Sequence, residues 1–397
     1  MNFPRRVGMV VGAALILLPL IAQAEKPIKV GYVVILSGAA ALIGEPSLKG
    51  AQMFVDETNK KGGVLGRQLE LVVRDSKGTA EEAVRVTRDL ILRENVDFLV
   101  GTLTSAEGPA VSPVAKENKM PFVVPIAKTD QITAPANLHP YVFRTATTTT
   151  IEGRAAAEIM AKWKIKRVAT MSPDYAFGQD VTRAFVEHLK KIKPEIEIVD
   201  QQWPKLGEAD YTPFINAQMA KKPEAVFSSV WGGHFVTFVK QATPLKYFDA
   251  IKNNFMGAAE SGAIETVKAL GKDYPVGIWA NSYDAFNWEG PPAHKEFIKN
   301  LKVYLKDEHP SSWPITGYTG MQFLVEAIKK AKSTDKEKVA KAMVGLSIES
   351  PIGKLTVREK DHQANRAHLW GKMAIDPRYP YAVMSPPSYM DPAKFMD

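Results

Sequence analysis

The sequence predicts an α/β protein built from two doubly wound lobes. Three observations carry this. Short, nearly continuous Val/Ile/Leu runs alternate with amphipathic helical stretches, the alternation restarts after residue 150, and 397 residues with 45% hydrophobic content suffice for two buried cores.

In chain order, Ile28–Ile35 reads as a strand. Ser47–Asn59 reads as a helix with Leu48, Ala51, Phe54, Val55 and Thr58 near one face, stopped by Gly62-Gly63. Gln68–Asp75 is the next strand, Thr79–Arg93 a helix opened by the capping box Thr79-Ala80-Glu81-Glu82, Val96–Gly101 a third strand and Phe122–Ile126 a fourth. The second series runs Ile151–Trp163 (helix), Arg167–Met171 (strand), Val181–Lys191 (helix), Glu195–Val199 (strand), Tyr211–Ala220 (helix) and Ala225–Val230 (strand). Helices are predicted at Pro292–Leu305 and Gly317–Ala331, and strand-like residues at Lys354–Val357. Buried parallel strands separated by helices imply right-handed crossovers. Three polar or extended stretches read as crossings between the lobes: Arg144–Thr150, Gly277–Tyr283 and Arg358–Ala364.

Met1–Arg6 carries Arg5 and Arg6, Val7–Ile21 is apolar, and Ala22-Gln23-Ala24 fits a small-x-small cleavage site. This is the pattern of an export signal over residues 1–24, cleaved near Ala24. Its apolar run of about 15 residues is shorter than a membrane span. The expected mature chain is soluble and periplasmic. The 51 Lys plus Arg against 43 Asp plus Glu give a net charge of +8, or +6 once Arg5 and Arg6 are removed. Those charges are dispersed, without the basic block or aromatic interleaving of a nucleic-acid binder. The absence of cysteine excludes disulfides, thiolate metal sites and cysteine nucleophiles.

No nucleophile elbow, phosphate loop, dinucleotide fingerprint or zinc-helix pair occurs. The single Ser333-Thr334-Asp335-Lys336 lies in a charged turn, and the seven histidines are scattered. The expectation is a protein that is not an enzyme and holds no metal or cofactor. Polar loops at strand carboxyl ends are instead the feature that points to function, since open α/β sheets bind ligands there. Gly101–Glu107 follows the third strand, and Ser105 at a helix N-terminus is a candidate anion grip or simply an N-cap. Ile126-Ala127-Lys128-Thr129 follows the fourth strand, with Lys128 a candidate cation for a carboxylate or a solvent-facing side chain. Pro173–Gly178 and Trp231-Gly232-Gly233 supply aromatic walls in the second series.

These segments resemble the leucine/isoleucine/valine-binding family of periplasmic solute-binding proteins. The likeness runs through Lys29-Val30-Gly31, Leu36-Ser37-Gly38, Gly50-Ala51, Asn59 to Arg67, Arg74-Asp75-Ser76, Pro121 to Thr129, Phe143-Arg144-Thr145, Tyr175-Ala176-Phe177-Gly178, Phe255-Met256-Gly257 and Gly317-Tyr318. The resemblance implies the type I periplasmic binding fold. Two Rossmann-like lobes joined by three crossover strands close on a ligand, and the closed form docks on an ABC permease in the inner membrane. It implies an N-terminal lobe of residues 25–148 plus 282–357, a C-terminal lobe of 149–281 plus 358–397, and a monomer.

Position by position, the resemblance makes Ser105 the serine that grips the ligand carboxylate, with Ile126 and Lys128 at the supporting positions after strand four. The family usually has a small hydroxyl residue where Lys128 stands, and Thr129 is the neighbouring substitute. Phe177 falls where tyrosine is common, Trp231 and Tyr318 match cleft aromatics, and Ile43 a pocket wall. The acid that pairs with a ligand amine falls at Glu260, or is lost if Ala259 takes that place. With Glu260 in the cleft the expected ligand is a branched-chain or similar amino acid. With Ala259 there it is an amine-free aromatic or aliphatic carboxylate, because an unpaired buried ammonium binds poorly. A sensory receptor subunit would share the same cleft and differ only in its partner.

Overall fold

The computed structural model describes Met1 and residues 25–396. The export signal therefore lies outside the described residues. No described helix is long and apolar enough to cross a membrane.

The first series folds as β1 (Ile28–Val34), α1 (Ala41–Lys60), β2 (Leu69–Asp75), α2 (Ala80–Leu92), β3 (Phe98–Gly101), α3 (Glu107–Glu117), β4 (Phe122–Val124) and β5 (Val142–Arg144). Its strands form one all-parallel sheet in the order β2-β1-β3-β4-β5. Val30, Phe98, Leu99, Val100, Phe122 and Val123 are fully buried, as strands covered by helices on both faces must be. Half of the predicted capping box forms: Thr79 Oγ1 accepts the Glu82 N–H at 3.2 Å, while the Glu82 carboxylate pairs with Arg85 and the Thr79 N–H goes to the Ser76 carbonyl. Helix α1 starts six residues earlier than the Ser47 expected, running through Pro46.

The second series comprises α4 (Thr149–Met160), β6 (Arg167–Met171), α5 (Ala176–Ile192), β7 (Glu197–Gln202), α6 (Thr212–Ala220), β8 (Ala225–Ser228), α7 (Gly232–Ala242), α8 (Tyr247–Ala250), β9 (Phe255–Gly257), α9 (Ile264–Leu270) and β10 (Trp279–Ser282). The chain then adds α10 (Pro292–Leu305), α11 (Pro314–Ala331), α12 (Lys336–Met343), the hairpin β11 (Ser347–Ser350) and β12 (Gly353–Thr356), and finally β13 (Leu369–Ile375), β14 (Ala382–Met384) and β15 (Ser388–Tyr389). The second sheet has the order β14-β13-β10-β9-β8-β6-β7, with β15 on β13. Strands β7, β6, β8, β9 and β10 are parallel, and β13 joins β10 antiparallel.

Two expected crossings are redrawn. The stretch Gly277–Tyr283 holds β10, a full member of the second sheet, and the chain leaves that sheet only at Tyr283. Arg144 is the last residue of β5, so the passage toward α4 spans only residues 145–148. The strand at Lys354–Val357 belongs to the separate β11–β12 hairpin. At the third stretch, Gln363 bridges Arg144, and Ala364 donates its N–H to the Arg144 carbonyl at 2.8 Å.

Helix α11 returns to the first sheet and packs on α1 at very close range. A Cβ at Gly50 would lie 1.8 Å from the Pro314 carbonyl oxygen, and one at Gly317 would lie 2.0 Å from that of Ser47. Only glycine permits this backbone approach.

Candidate functional site

The carboxyl ends of the parallel strands of the two sheets face each other, and loops from both enclose a small cavity of about 30 Å³. The first lobe supplies Ile43 from α1, Leu103 and Ser105 between β3 and α3, Ile126 and Lys128 after β4, and Trp313 before α11. The second supplies Tyr175 and Phe177 at the start of α5, Trp231 at the start of α7, and Ala259 and Glu260 after β9. Three helices thus begin at the cavity, with their unpaired N–H ends toward it.

Of the residues expected at the site, Ile43, Ser105, Ile126, Lys128, Phe177, Trp231 and Glu260 line this cavity together. Ala259 lines it as well, so the two rival readings of that turn meet in one structure: Ala259 and Glu260 both adopt left-handed backbone, at φ 56° and 57°. Consecutive non-glycine residues in that region cost of order 1–3 kcal/mol each and persist where the surroundings hold them. Here Asn281 holds them: its Oδ1 accepts the Glu260 N–H at 2.7 Å.

Two expectations are corrected. Tyr318 lies on the α1–α10 side of α11, its ring edge-on to Phe54 and Phe297 and its hydroxyl donating to Glu57 at 2.8 Å. The close α1–α11 approach aims Gly317 and Thr316 inward and turns the next position away from the cleft. Thr129 stands behind the cavity wall. Its N–H donates to Ser105 Oγ at 3.1 Å, and its hydroxyl donates across the lobes to Asp180 on α5 at 2.6 Å.

The anion grip differs from expectation in one respect. The buried carboxylate of Glu107 takes the N–H groups of Leu103 (3.1 Å) and Thr104 (2.7 Å). Burial pushes that carboxyl up in pKa against these hydrogen bonds. The donors left at the start of α3 are the Ser105 and Ala106 N–H groups and the Ser105 hydroxyl. The hydroxyl accepts from Thr129 and so has its own proton to give.

Lys128 is only 5% exposed, and its ammonium is engaged by carboxylates of the second lobe. Its Nζ donates to Glu152 Oε2 at 2.9 Å and Glu260 Oε1 at 2.5 Å, and sits 5.4 Å and 5.3 Å from the ring centroids of Phe177 and Tyr283. Burial alone would pull the ammonium down, but Glu152 and Glu260 outweigh it and hold its pKa above the ordinary lysine value. Glu152 is fixed in turn, its Oε1 accepting the Ala259 N–H and the Asn281 amide, both at 2.7 Å. His368 Nε2 lies 2.5 Å from Glu260 Oε1, and burial, then the neighbouring Lys128, keeps its imidazole neutral. Arg366 is fully buried, its guanidinium 4.8 Å from the Tyr283 centroid on the face beside this cluster. Glu152, Glu260 and His368 together have the donor set of a cation site, and the cation among them is the ammonium of Lys128.

Sequence reasoning missed Trp313 and Leu103 as wall residues, and Glu152, Asn281, Tyr283, Arg366 and His368 behind them. The loop residue Leu103 stood in a segment already singled out; the others carry no local signal. The indole Nε1 of Trp231 is buried without a hydrogen-bond partner.

A family model described as periplasmic binding protein matches residues 27–373. The leucine-, isoleucine-, valine-, threonine- and alanine-binding protein of Pseudomonas aeruginosa is 24% identical over 346 residues, covering 87% of this chain and 89% of that one. A solute-binding protein of an ABC transporter from Rhodopseudomonas palustris, solved with p-hydroxybenzoic acid, superposes with TM-score 0.83 at 21% identity over 92% of this chain and 98% of that one. A leucine-binding protein from Thermotoga maritima superposes with TM-score 0.80 at 21% identity over 92% of this chain and 99% of that one.

Proposed function

The chain belongs to the periplasmic binding protein family, and from that premise we propose that it is the periplasmic solute-binding component of an ABC importer. Its ligand is a small organic carboxylate with an apolar body, bound one per chain, without chemical turnover, and handed to an inner-membrane permease. One observation carries the reading: a single cavity draws its walls from both lobes, with Ser105 and the start of α3 at one side and Phe177, Trp231, Ile43 and Trp313 around the rest.

Two lobes that share the ligand's contacts close on it because only the closed state offers both sets. A ligand shifts that equilibrium by its differential affinity for the two states. The carboxylate is held by N–H donors and a hydroxyl in a water-poor site, where such hydrogen bonds are stronger than in water. The aromatic and aliphatic walls take the apolar body. Relatives and structural neighbours are named for branched-chain amino acids and for hydroxybenzoate, and both ligand types carry a carboxylate on an apolar body.

The test is a melting-temperature screen of ligand-stripped mature protein, residues 25–397, against amino acids, aliphatic acids and aromatic acids, followed by isothermal titration of the hits. A ligand that binds only the folded state raises the melting temperature. The expected result is a shift with at least one carboxylate, 1:1 stoichiometry and the ligand recovered intact. No shift with any carboxylate, or recovery of an altered molecule, would refute the reading.

A further inference from the structure

The surroundings of Lys128 are those of a receptor for a ligand ammonium: two carboxylates and two aromatic faces converging on one point. The point is occupied by the chain itself. Lys128 comes from the loop after β4 of the first lobe, whereas Glu152 and Glu260 belong to α4 and to the loop after β9 of the second. The ion pair therefore spans the cleft as a bound amine would.

We propose that Lys128 is a tethered substitute for a ligand amine, and that it makes this cleft select amine-free carboxylates over α-amino acids. The inference rests on the reading of the cavity as a carboxylate site and narrows it to one ligand class. The donors and acceptors leave little room for a second ammonium. Both oxygens of Glu152 are taken, Oε2 by Lys128 and Oε1 by the Ala259 N–H and Asn281. On Glu260, Oε1 holds Lys128 and faces His368, so an amine seated on the other oxygen would stand against the Lys128 ammonium. The charges also close. Lys128 pairs with both carboxylates and the buried Arg366 guanidinium adds positive charge beside Glu260, so neither Glu152 nor Glu260 is an uncompensated anion awaiting a ligand amine. An ammonium brought here loses its water and gains no partner. Glu260 thus lines the cleft at the position expected of the amine-binding acid, yet its charge is already spent on the protein.

The experiment compares matched pairs on the mature wild-type protein by isothermal titration: leucine with 4-methylpentanoate, and phenylalanine with 3-phenylpropanoate, alongside benzoate. In at least one pair the amine-free acid is expected to bind about 100-fold more tightly than its amino-acid counterpart, the scale of an unpaired buried charge. In Lys128→Thr, with the two carboxylates left for a ligand amine, that preference should fall at least about tenfold through tighter binding of the amino acid. Lys128→Gln, closer in volume, serves if the threonine variant does not fold, and the wild-type comparison needs neither. Amino acids binding the wild type as tightly as their amine-free partners would overturn the inference while leaving the carboxylate reading intact. So would an unchanged preference in a folded Lys128 variant. If no member of any pair, nor benzoate, binds wild type or variant, the carboxylate reading itself falls and takes this inference with it.

Discussion

Ser105 Oγ accepts the Thr129 N–H at 3.1 Å, which leaves its own proton to be donated into the cavity. One hydroxyl thereby ties the loop after β4 to the start of α3 and, in the proposed function, is the donor that would meet the ligand carboxylate. Ser105→Ala removes both. Loss of a hydrogen bond to a charged group is worth about 1.5–3 kcal/mol, so the affinity for the preferred carboxylate should fall about 10- to 100-fold by isothermal titration. The same substitution strands the Thr129 N–H, so the ligand-free protein should also melt somewhat lower. A change in affinity below threefold would take Ser105 out of the grip. The neighbouring Glu107 shows why chemistry at this helix start was only half legible. A serine after a strand and before a helix is visible in sequence as cap or anion grip, but which N–H groups remain depends on a carboxylate folding back over its own turn.

At the scale of elements, α3 is tied to the segment before β5 by a histidine whose tautomer the structure fixes. His139 Nδ1 accepts the Tyr141 N–H at 3.2 Å, so the ring proton is on Nε2 and donates to Ser112 at 2.8 Å. Burial lowers its pKa from 6.5 to about 4, and protonation at Nδ1 would set a donor against a donor. The unfolded chain thus binds this proton more readily than the fold, so stability is lost as pH falls from about 6.5 toward 4. Glu265 acts in the opposite sense. Burial raises its carboxyl to about 7, so the fold binds that proton more tightly and loses stability as pH rises from 4.5 through 7. Difference profiles of unfolding free energy against pH should separate them. His139→Gln should flatten the acid-side loss and Glu265→Gln the loss toward neutral pH, and NMR should find the His139 ring titrating near 4. A His139 midpoint near 6.5 would refute the assignment.

Elements such as α2 with its Thr79 cap, β6, and α10 were readable because their determinants are local: a cap three residues from its partner, a period of 3.6, a short β-prone stretch between helices. The polar cluster behind the cavity was not, because Lys128 meets carboxylates 24 and 132 residues away and no sequence spacing encodes that meeting. Tyr318 failed for a related reason. Matching by position put it in the cleft, but its orientation follows from how closely Gly50 and Gly317 let two helices approach, which is a property of the pair.

On the scale of the molecule, the two lobes stand closed. Thr129 reaches Asp180 and Lys128 reaches Glu260 across the cleft, and the start of α7 in the second lobe meets the segment before α1 in the first. At that last contact a Cβ on Gly233 would lie 2.9 Å from Ala39 Cβ and 3.3 Å from its carbonyl oxygen. Gly233 adopts ordinary helical backbone, so a side chain there is tolerated within its own lobe and obstructs only the approach of the other. Gly233→Leu should accordingly leave the melting temperature of the ligand-free protein near that of wild type and prop the lobes apart. Since the ligand draws its affinity from contacts made only on closure, binding should weaken by about tenfold or more. In small-angle X-ray scattering, the wild-type chain should contract when its carboxylate is added, and the variant should keep the larger radius of gyration with or without ligand. Full compaction and unaltered affinity in Gly233→Leu would show that this contact does not gate closure and that the cleft seals elsewhere.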